Sequence, residues 1–416
     1  MPNLSREIEK RLPAELAGFM KSAGAIANYQ GQRLHLVGGV VRDLLLGRPN
    51  LDLDLVVEGD ATSLARQMAN IVQSKITTHS RFNTAKLRWH EWSIDIATAR
   101  SETYSRPGAL PRVRPGTLAD DLFRRDFTIN TMAVRLNPGR YGEMIDLYGG
   151  RDDLERGIIR VLHEKSFTDD ATRIWRGLRY EQRFDFHIEP ETLKLLRRDI
   201  PMLDTISRDR LRHELELVLK EEYPEKVLRR ADNLKVLPGI HPSLKGNGWL
   251  ARNFKRARQT CSPEPPPVAL YLALLTCRLS GNETEQIISE MIFPGVLART
   301  LRDSNSLKNN IEVLSNPRLS PSSVYSALQG YSPVAITAHA IASDSPVVRQ
   351  HMNRFLSRLR YIRPALTGDD LMRLGIPPGP QIKEVLTMLL NARLDGKVTG
   401  KKQEEAMARN WLRLHT

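Results

Sequence analysis

Residues 34–60 read LHLVGGVVRDLLLGRPNLDLDLVVEGD, and the fold is organised around them. The apolar run at 34–37 predicts a buried strand. Gly38 and Gly39 follow, where the backbone can turn tightly and lie close against a bound group. A short helical turn over 41–46 then presents its start to phosphate oxygens. LDLDL predicts a second strand. Side chains alternate along a strand, so Leu51, Leu53 and Leu55 face the core while Asp52 and Asp54 share the other face, about 7 Å apart. Carboxylates at that spacing suit one or two divalent ions. A lone Gly-Gly turn or DxD reads equally well as an ordinary turn or a solvated edge strand. Gly-Gly, Arg42-Asp43 and DxD in succession point to a nucleotide-and-metal site.

With 416 residues the chain is long enough for two to four compact units. Its 62 Lys and Arg against 48 Asp and Glu leave a net charge of +14, which makes a polyanion the expected partner: RNA, DNA or an anionic membrane. Cys261 and Cys277 stand in no CxxC or Cys/His arrangement, so neither a disulfide framework nor zinc is expected. The N-terminal residues are charged without an apolar signal core, and no apolar run reaches the roughly 18 residues of a membrane span. A cytoplasmic chain with no membrane partner is expected.

Residues 4–29 have the spacing of an amphipathic helix broken near Pro13, and 61–73 that of another. β-rich runs follow at 75–79, 83–89 and 92–98, which predicts a small mixed sheet with helices on one face. In the last run Ile94 and Ile96 face the core and Asp95 faces away. If that strand lies beside LDLDL, Asp95 completes a three-carboxylate cluster, as metal ligand or as general base; otherwise it is an isolated acidic residue. Residues 100–115, rich in Pro, Gly and Arg, predict a loop. Residues 118–136 predict one helix, with Asp126 and Asn130 on one face and Phe123 and Phe127 on another. Asp169 or Asp170 caps a helix along which Arg173, Arg176 and Arg179 fan at three-residue steps.

GGVVRD followed by DLDLVV resembles the first motif of the nucleotidyltransferases that build tRNA 3′ ends and bacterial poly(A) tails. RRDFTIN at 124–130 is similar to that family's second motif. DDATR at 169–173 is similar to its E-D-x-x-R motif, with Asp169 where glutamate is common. TISRDRLRHELELVL at 205–219 resembles its next helix, with Asp209 in place of Glu, and the TGDDL and GIPPGP segments near the end resemble its tail. The match runs from about residue 34 to about residue 412 and is weak between 225 and 360.

The resemblance, to the bacterial-type class II branch, implies an α+β chain. A nucleotidyltransferase (polymerase β-like) head with a small mixed sheet spans 1–155. An all-helical remainder follows: a nucleotide-selecting neck at 156–225, a body at 226–335 and a tRNA-binding tail at 336–416. It implies Mg2+ held by Asp52 and Asp54, with Asp95 catalytic beside them. Gly38, Gly39, Arg42 and Arg125 contact the nucleotide, Asp126 and Asn130 hold the ribose and the local helix, and Arg176 and Arg179 sit near the phosphates. Arg210 and Glu214 brace the arginine-bearing helix. Residues 100–115 form a mobile element, acting through Arg100 and Glu102 in the switch between adding C and adding A.

Asp170 and Arg173 take the roles of a template made of amino acids. Cytosine and adenine each offer an amino donor beside a ring-nitrogen acceptor, which a carboxylate and a guanidinium can satisfy. Uracil and guanine present the reverse order and leave both protein groups unpaired, which a site of this kind rejects. The implied activity is addition of C, C and A to tRNA 3′ ends from CTP and ATP. The alternatives are an A-adding or CC-adding enzyme or a poly(A) polymerase. Oligomeric state stays open.

Overall fold

The computed structural model describes residues 2–79, 83–109 and 111–415. They form two compact units, Met1–Glu214 with Glu221–Tyr223, and Leu215–Lys220 with Pro224–Thr416. In the first, α1 (Ser5–Arg11) and α2 (Ala14–Tyr29) part at Pro13 and precede β1 (Arg33–Val37), α3 (Gly39–Leu46), β2 (Leu53–Glu58) and α4 (Ala61–Val72). Next come β3 (Lys75–His79), β4 (Thr84–Trp89), β5 (Trp92–Thr98), β6 (Arg100–Thr103), β7 (Arg112–Pro115), α5 (Leu118–Phe123), β8 (Met132–Arg135) and β9 (Met144–Asp146). Short elements follow: α6 (Gly150–Glu155), β10 (Ile158–Ile159), α7 (Ser166–Asp169), α8 (Thr172–Phe184), β11 (His187–Ile188), α9 (Pro190–Asp199) and α10 (Arg208–Leu219).

The sheet runs β3-β4-β5-β2-β1-β8-β9, with β2 and β5 parallel and the other neighbours antiparallel. A parallel pair needs a crossover, and the segment from α4 through β4 supplies it. Register sets Leu53 beside Ile94 and Leu55 beside Ile96, all buried, and therefore sets Asp54 beside Asp95 on the opposite face. The expected α+β head and mixed sheet are what forms.

The segment after 155, expected to be all helical, carries a two-stranded parallel sheet, β10–β11, between 158 and 188, and three further expectations fail. LDLDL is not strand throughout. The Asn50 side chain accepts the Asp52 backbone N–H (3.0 Å), so β2 begins at Leu53 and Leu51 is 39% exposed. Residues 118–136 are not one helix. Asp126 accepts from the Phe127 N–H and from Asn130 Nδ2 (both 2.9 Å), a local bonding pattern that competes with helix. The chain then makes a 3-10 turn at Thr128–Asn130 and joins the sheet as β8, so Phe127 is buried while Phe123 is 44% exposed. The ends of the supposed loop at 100–115 pair as the antiparallel ribbon β6–β7; Leu110, at its tip, lies outside the described residues.

Every secondary-structure element described in the second unit is helical. It comprises α11 (Pro224–Asn233), α12 (Gly248–Cys261), α13 (Val268–Thr276), α14 (Gly281–Glu290), α15 (Gly295–Leu307), α16 (Ile311–Leu314), α17 (Pro321–Leu328), α18 (Pro333–Ala342), α19 (Pro346–Ser357), α20 (Gly368–Arg373), α21 (Pro380–Leu394) and α22 (Lys401–His415). One core gathers Val324, Ile336, Val348, Met352 and Phe355; another gathers Leu371, Val385, Leu389 and Trp411. Pro380 opens α21, and its Val385 and Leu389 pack as the apolar stripe in the sequence requires. No described helix is long and apolar enough to cross a membrane.

His35, fully buried in the middle of β1, generates a pH prediction. Burial, reinforced by Arg135, lowers its pKa from 6.5 to about 4. Between those values the unfolded chain takes up a proton that the folded chain refuses. Stability is therefore full above pH 6.5 and falls as pH drops toward 4, by up to about 3 kcal/mol. Urea unfolding between pH 4 and 7.5 should show this slope in the wild type and lose it in His35→Leu.

Candidate active site

Most of the residues singled out in the sequence line one cleft of about 610 Å3 in the first unit. Its floor is the β2–β5 pair, with Asp52, Asp54 and Asp95 at the surface. Asp54 opens to the cleft but is ringed by protein. That desolvation raises its pKa; Arg125 pulls it down, while the Asp95 and Asp52 charges push it further up. Oxygen donors crowded with like charge are the donor set a hard divalent cation satisfies, so the floor fits such an ion. Among the described residues, however, no trio of carboxylate, imidazole or thiol groups is gathered into ligand geometry. Asp95 pairs across the strands with Lys86 (3.0 Å). The expected three-carboxylate cluster is thus a matter of backbone register, with the side chains not converged.

One wall is set by the turn after β1. Gly38 sits at φ 77°, ψ −142°, and a Cβ there would lie 2.7 Å from Arg125 Nη1 and 3.4 Å from Asp54 Oδ2. Glycine is required twice over, by backbone conformation and by the approach of Arg125. Gly39 and Val40 open α3 at the cleft edge. Arg42, buried one turn later, donates to Asp43 (2.9 Å from Nε and from Nη2) and to Asn130 Oδ1 (2.6 Å). Its guanidinium lies over the rings of Phe184 (4.6 Å) and Tyr180 (5.3 Å). Asn130 in turn donates to Asp126 (2.9 Å), so the Arg42–Asn130–Asp126 chain joins α3 to the turn before β8.

Arg125 and Arg124 share one acid. Asp121, with no solvent exposure, accepts from Arg125 Nη2 (3.1 Å) and from Arg124 Nε (3.0 Å) and Nη2 (2.7 Å). Burial alone would raise its pKa, but the two guanidiniums outweigh burial and hold it below the usual carboxylate value. Arg124 also reaches Glu102 on β6 (3.2 Å), which accepts from Arg100 (2.8 Å) and the Tyr104 hydroxyl (2.9 Å), fixing the ribbon to α5.

The other wall is α8. Asp170 Oδ1 accepts from the Thr172 N–H (3.0 Å), the Thr172 hydroxyl (2.6 Å) and Arg210 Nη2 (2.8 Å). Arg173 donates to Ser166 Oγ (2.7 Å) and to the Arg124 carbonyl (2.6 Å). Arg176 bridges Asp126 (3.7 Å) and Glu214 (3.2 Å), and those acids overcome the opposing effect of burial to raise its pKa. Asp126 is held low the same way, with Arg176, Asn130 and Arg173 outweighing burial.

Arg179 and Arg100, both singled out in the sequence, do not line the cleft. Arg179 is buried beside Glu221 (Nε to Oε1 3.6 Å) and the Tyr180 ring. A step of three residues falls short of a helical turn, so three arginines at that step drift around the axis. Tyr180, seven residues from Arg173 and nearly two full turns on, lies on the cleft face instead. Arg124, Asn50 and Tyr104 also line the cleft without having been singled out. Arg124 stood beside a chosen arginine and Tyr104 lay in the 100–115 segment that resembles the family's, whereas Asn50 carried no sequence signal.

Comparison with known proteins agrees with this geometry. Residues 34–160 match the model of the poly A polymerase head domain, and 185–246 match a probable RNA- and SrmB-binding site of polymerase A. The A-adding tRNA nucleotidyltransferase of Geobacter sulfurreducens is 34% identical over 98% of this chain, although the chain spans only 49% of that relative's length. The A-adding tRNA nucleotidyltransferase of Halalkalibacterium halodurans is 32% identical over 94% of this chain and 92% of its own. Solved CCA-adding enzyme complexes with CTP and with ATP are 31% and 30% identical, each with a TM-score of 0.82 and 99% coverage of the solved chain.

Gly38→Ala forces a side chain into a glycine-only conformation and onto Arg125. Stability should fall by about 1–3 kcal/mol, and nucleoside triphosphate affinity should fall with the displaced arginine. Thermal melts and equilibrium nucleotide titration read the two effects separately.

Proposed function

Since the chain belongs to the poly(A) polymerase and tRNA nucleotidyltransferase family, we propose that it adds nucleotides to tRNA 3′ ends without a nucleic-acid template, using CTP and ATP to build C, C and A. One observation carries the reading: the parallel β2–β5 register puts Asp54 beside Asp95 in the same cleft as Asp170 and Arg173. Reaction chemistry and base selection thereby share one pocket.

Asp52 and Asp54 would hold Mg2+, whose chemistry when bound is to ease deprotonation of the tRNA 3′-hydroxyl and to balance charge on the departing pyrophosphate. Asp95 completes that ligand set or accepts the hydroxyl proton. Arg125, aimed past Gly38, takes the triphosphate, and Arg176 faces the same cleft from α8. Asp126, Asn130 and Arg42 hold the ribose side of the site in one bonded chain.

Asp170 and Arg173 read the base. The three hydrogen bonds to Asp170 converge on Oδ1, which orients Oδ2 to accept from the amino group of cytosine or adenine. Arg173, clamped by Ser166 and the Arg124 carbonyl, donates to the adjacent ring nitrogen. Groups fixed before the base arrives lose little entropy on reading it.

Full CCA addition is supported by likeness along the whole chain to structures of CCA-adding enzymes. A second reading, addition of the terminal A alone, is favoured by the A-adding names of the two relatives above. Incorporation assays on tRNA transcripts ending at the discriminator base, at C and at CC separate them. Completion of all three establishes CCA addition, A on the CC end alone establishes A addition, and long A runs would indicate poly(A) synthesis. Silence on all three refutes the nucleotidyltransferase reading.

Asp52→Ala should abolish incorporation and leave tRNA affinity within about twofold, because phosphate contacts elsewhere dominate affinity. Persistent activity would remove Asp52 from the metal site. Asp170→Ala should admit UTP or GTP at rates approaching those of CTP and ATP before overall turnover is lost. Unchanged nucleotide selectivity in that variant would refute the template role.

A further inference from the structure

Asn50 lies between α3 and β2 and lines the cleft. Its side chain makes two bonds of opposite sense. Oδ1 accepts the Asp52 backbone N–H (3.0 Å), and Nδ2 donates to Asp43 Oδ2 (2.7 Å). These partners fix which way the amide faces, because a turned amide would set its oxygen against a carboxylate and its nitrogen against an N–H. Asp43 is buried and also accepts from Arg42 Nε and Nη2 (2.9 Å each), while its backbone carbonyl accepts the Arg48 N–H (2.9 Å). The loop from α3 to β2 is thus closed on Asp43 by both backbone and side chain.

Followed outward, these bonds form one chain across the cleft. It runs from Asp52 through Asn50 and Asp43 to Arg42, and on through Asn130 to Asp126. The two floor aspartates are placed in different ways. Asp54 is held in the sheet, where β2 pairs with β5 at Asp95. Asp52 precedes Leu53, the first residue of β2, so strand pairing does not set its position. The Asn50 turn does, as such a side chain bonds the backbone two residues on.

Two carboxylates can share a cation only while the spacing between them is kept, and the groups bonded around a ligating carboxylate keep it. We propose that Asn50 is a positioning residue for the divalent-ion site. It sets Asp52 relative to Asp54 and, through Asp43, ties that spacing to the Arg42–Asn130–Asp126 chain. The assignment rests on the metal-dependent reading above. The chemistry of both bonds calls for an amide. Aspartate would cap the same turn but set a second carboxylate against Asp43, and serine could accept the Asp52 N–H but is too short to reach Asp43 as well.

The test is binding of Mn2+ alone, followed by electron paramagnetic resonance of the free ion, on the full chain without nucleotide or tRNA. Asn50→Ala should bind Mn2+ about tenfold more weakly than the wild type. CTP binding in EDTA should match the wild type, because Arg125 is held by Asp121 through a separate set of bonds. Incorporation by the variant should recover as Mg2+ is raised, with KM for CTP unchanged at saturating Mg2+. Asn50→Ser, which keeps the turn without the Asp43 bond, should recover only part of the Mn2+ affinity. As a readout that needs no variant, hydrogen exchange on the wild type should show Mn2+ slowing exchange at 43–46, reached from Asp52 through Asn50, as well as at 52–54.

Wild-type Mn2+ affinity in Asn50→Ala, full recovery in Asn50→Ser, or protection confined to 52–54 would each overturn the proposal. So would loss of CTP binding in EDTA, the mark of a general structural role. A wild type that binds Mn2+ while Asn50→Ala matches it defeats the Asn50 assignment alone. A wild type that binds no Mn2+ defeats the metal reading and this assignment together.

Discussion

Asp121 is the constraint on which the cleft depends. It is buried without solvent exposure and holds both Arg124 and Arg125. Burying charge costs several kcal/mol per ion, and such a cluster is tolerated where geometry and additional hydrogen bonds offset the cost. Here the cluster sets direction. Arg125 emerges beside Gly38 and Asp54, and Arg124 ties the β6–β7 ribbon to α5 through Glu102. The Arg124 carbonyl also receives Arg173. One buried carboxylate therefore fixes the relative placement of Arg125, the ribbon and Arg173. Stranding one member of such a buried set costs about 3–5 kcal/mol, which makes its geometry stiff.

Against that stiff wall the floor is held in a state of electrostatic tension. Asp52, Asp54 and Asp95 repel one another, and Arg125 and Lys86 offset part of that repulsion. A cation held there would relieve the remainder, in the same field that Arg125 feels. The Lys86–Asp95 pair is partly exposed and contributes little to stability, so exchanging it for a metal contact costs little. The floor's side chains are adjustable where the wall's are not. The backbone register beneath them, fixed by Leu53, Leu55, Ile94 and Ile96, does not move.

What the sequence made legible follows the range of the interaction that decided it. Alternation in LDLDL and SIDIA depends on two-residue periodicity, and both strands form with their acids on the common face. Leu51 was misjudged because one side-chain bond from Asn50 removes Asp52 from the ladder. The helix expected over 118–136 lost to two causes. Asp126 has its own short-range bonds, and β8 is claimed by β1, about a hundred residues away, which no local pattern announces. The ribbon at 100–115 likewise exists through pairing of segments that each lack a strand signature. Arg179 was grouped with Arg176 by spacing and by the resemblance, and helical drift sets it beside Glu221, out of the cleft lining. Most residues named from the family motifs line one cleft, and Arg210 and Glu214 contact Asp170 and Arg176 as expected, whereas Asp121, which holds Arg124 and Arg125, was not singled out.

The arginines divide by what holds them, and that division matches two different tasks. In the cleft, Arg42, Arg124, Arg125, Arg176 and Arg210 each face a carboxylate, so they contribute direction and donor geometry more than net charge. Arg173 is held by a hydroxyl and a carbonyl, which position it without neutralising its charge. Arg256 and Arg349 follow the second pattern in the helical unit, in helices that contain no acid. An arginine held by a carboxylate contributes direction, whereas one held by a carbonyl keeps a charge that salt screens. In a chain with a net charge of +14, most arginines of the cleft are thus compensated by neighbouring carboxylates, and Arg173, Arg256 and Arg349 are positioned by neutral groups.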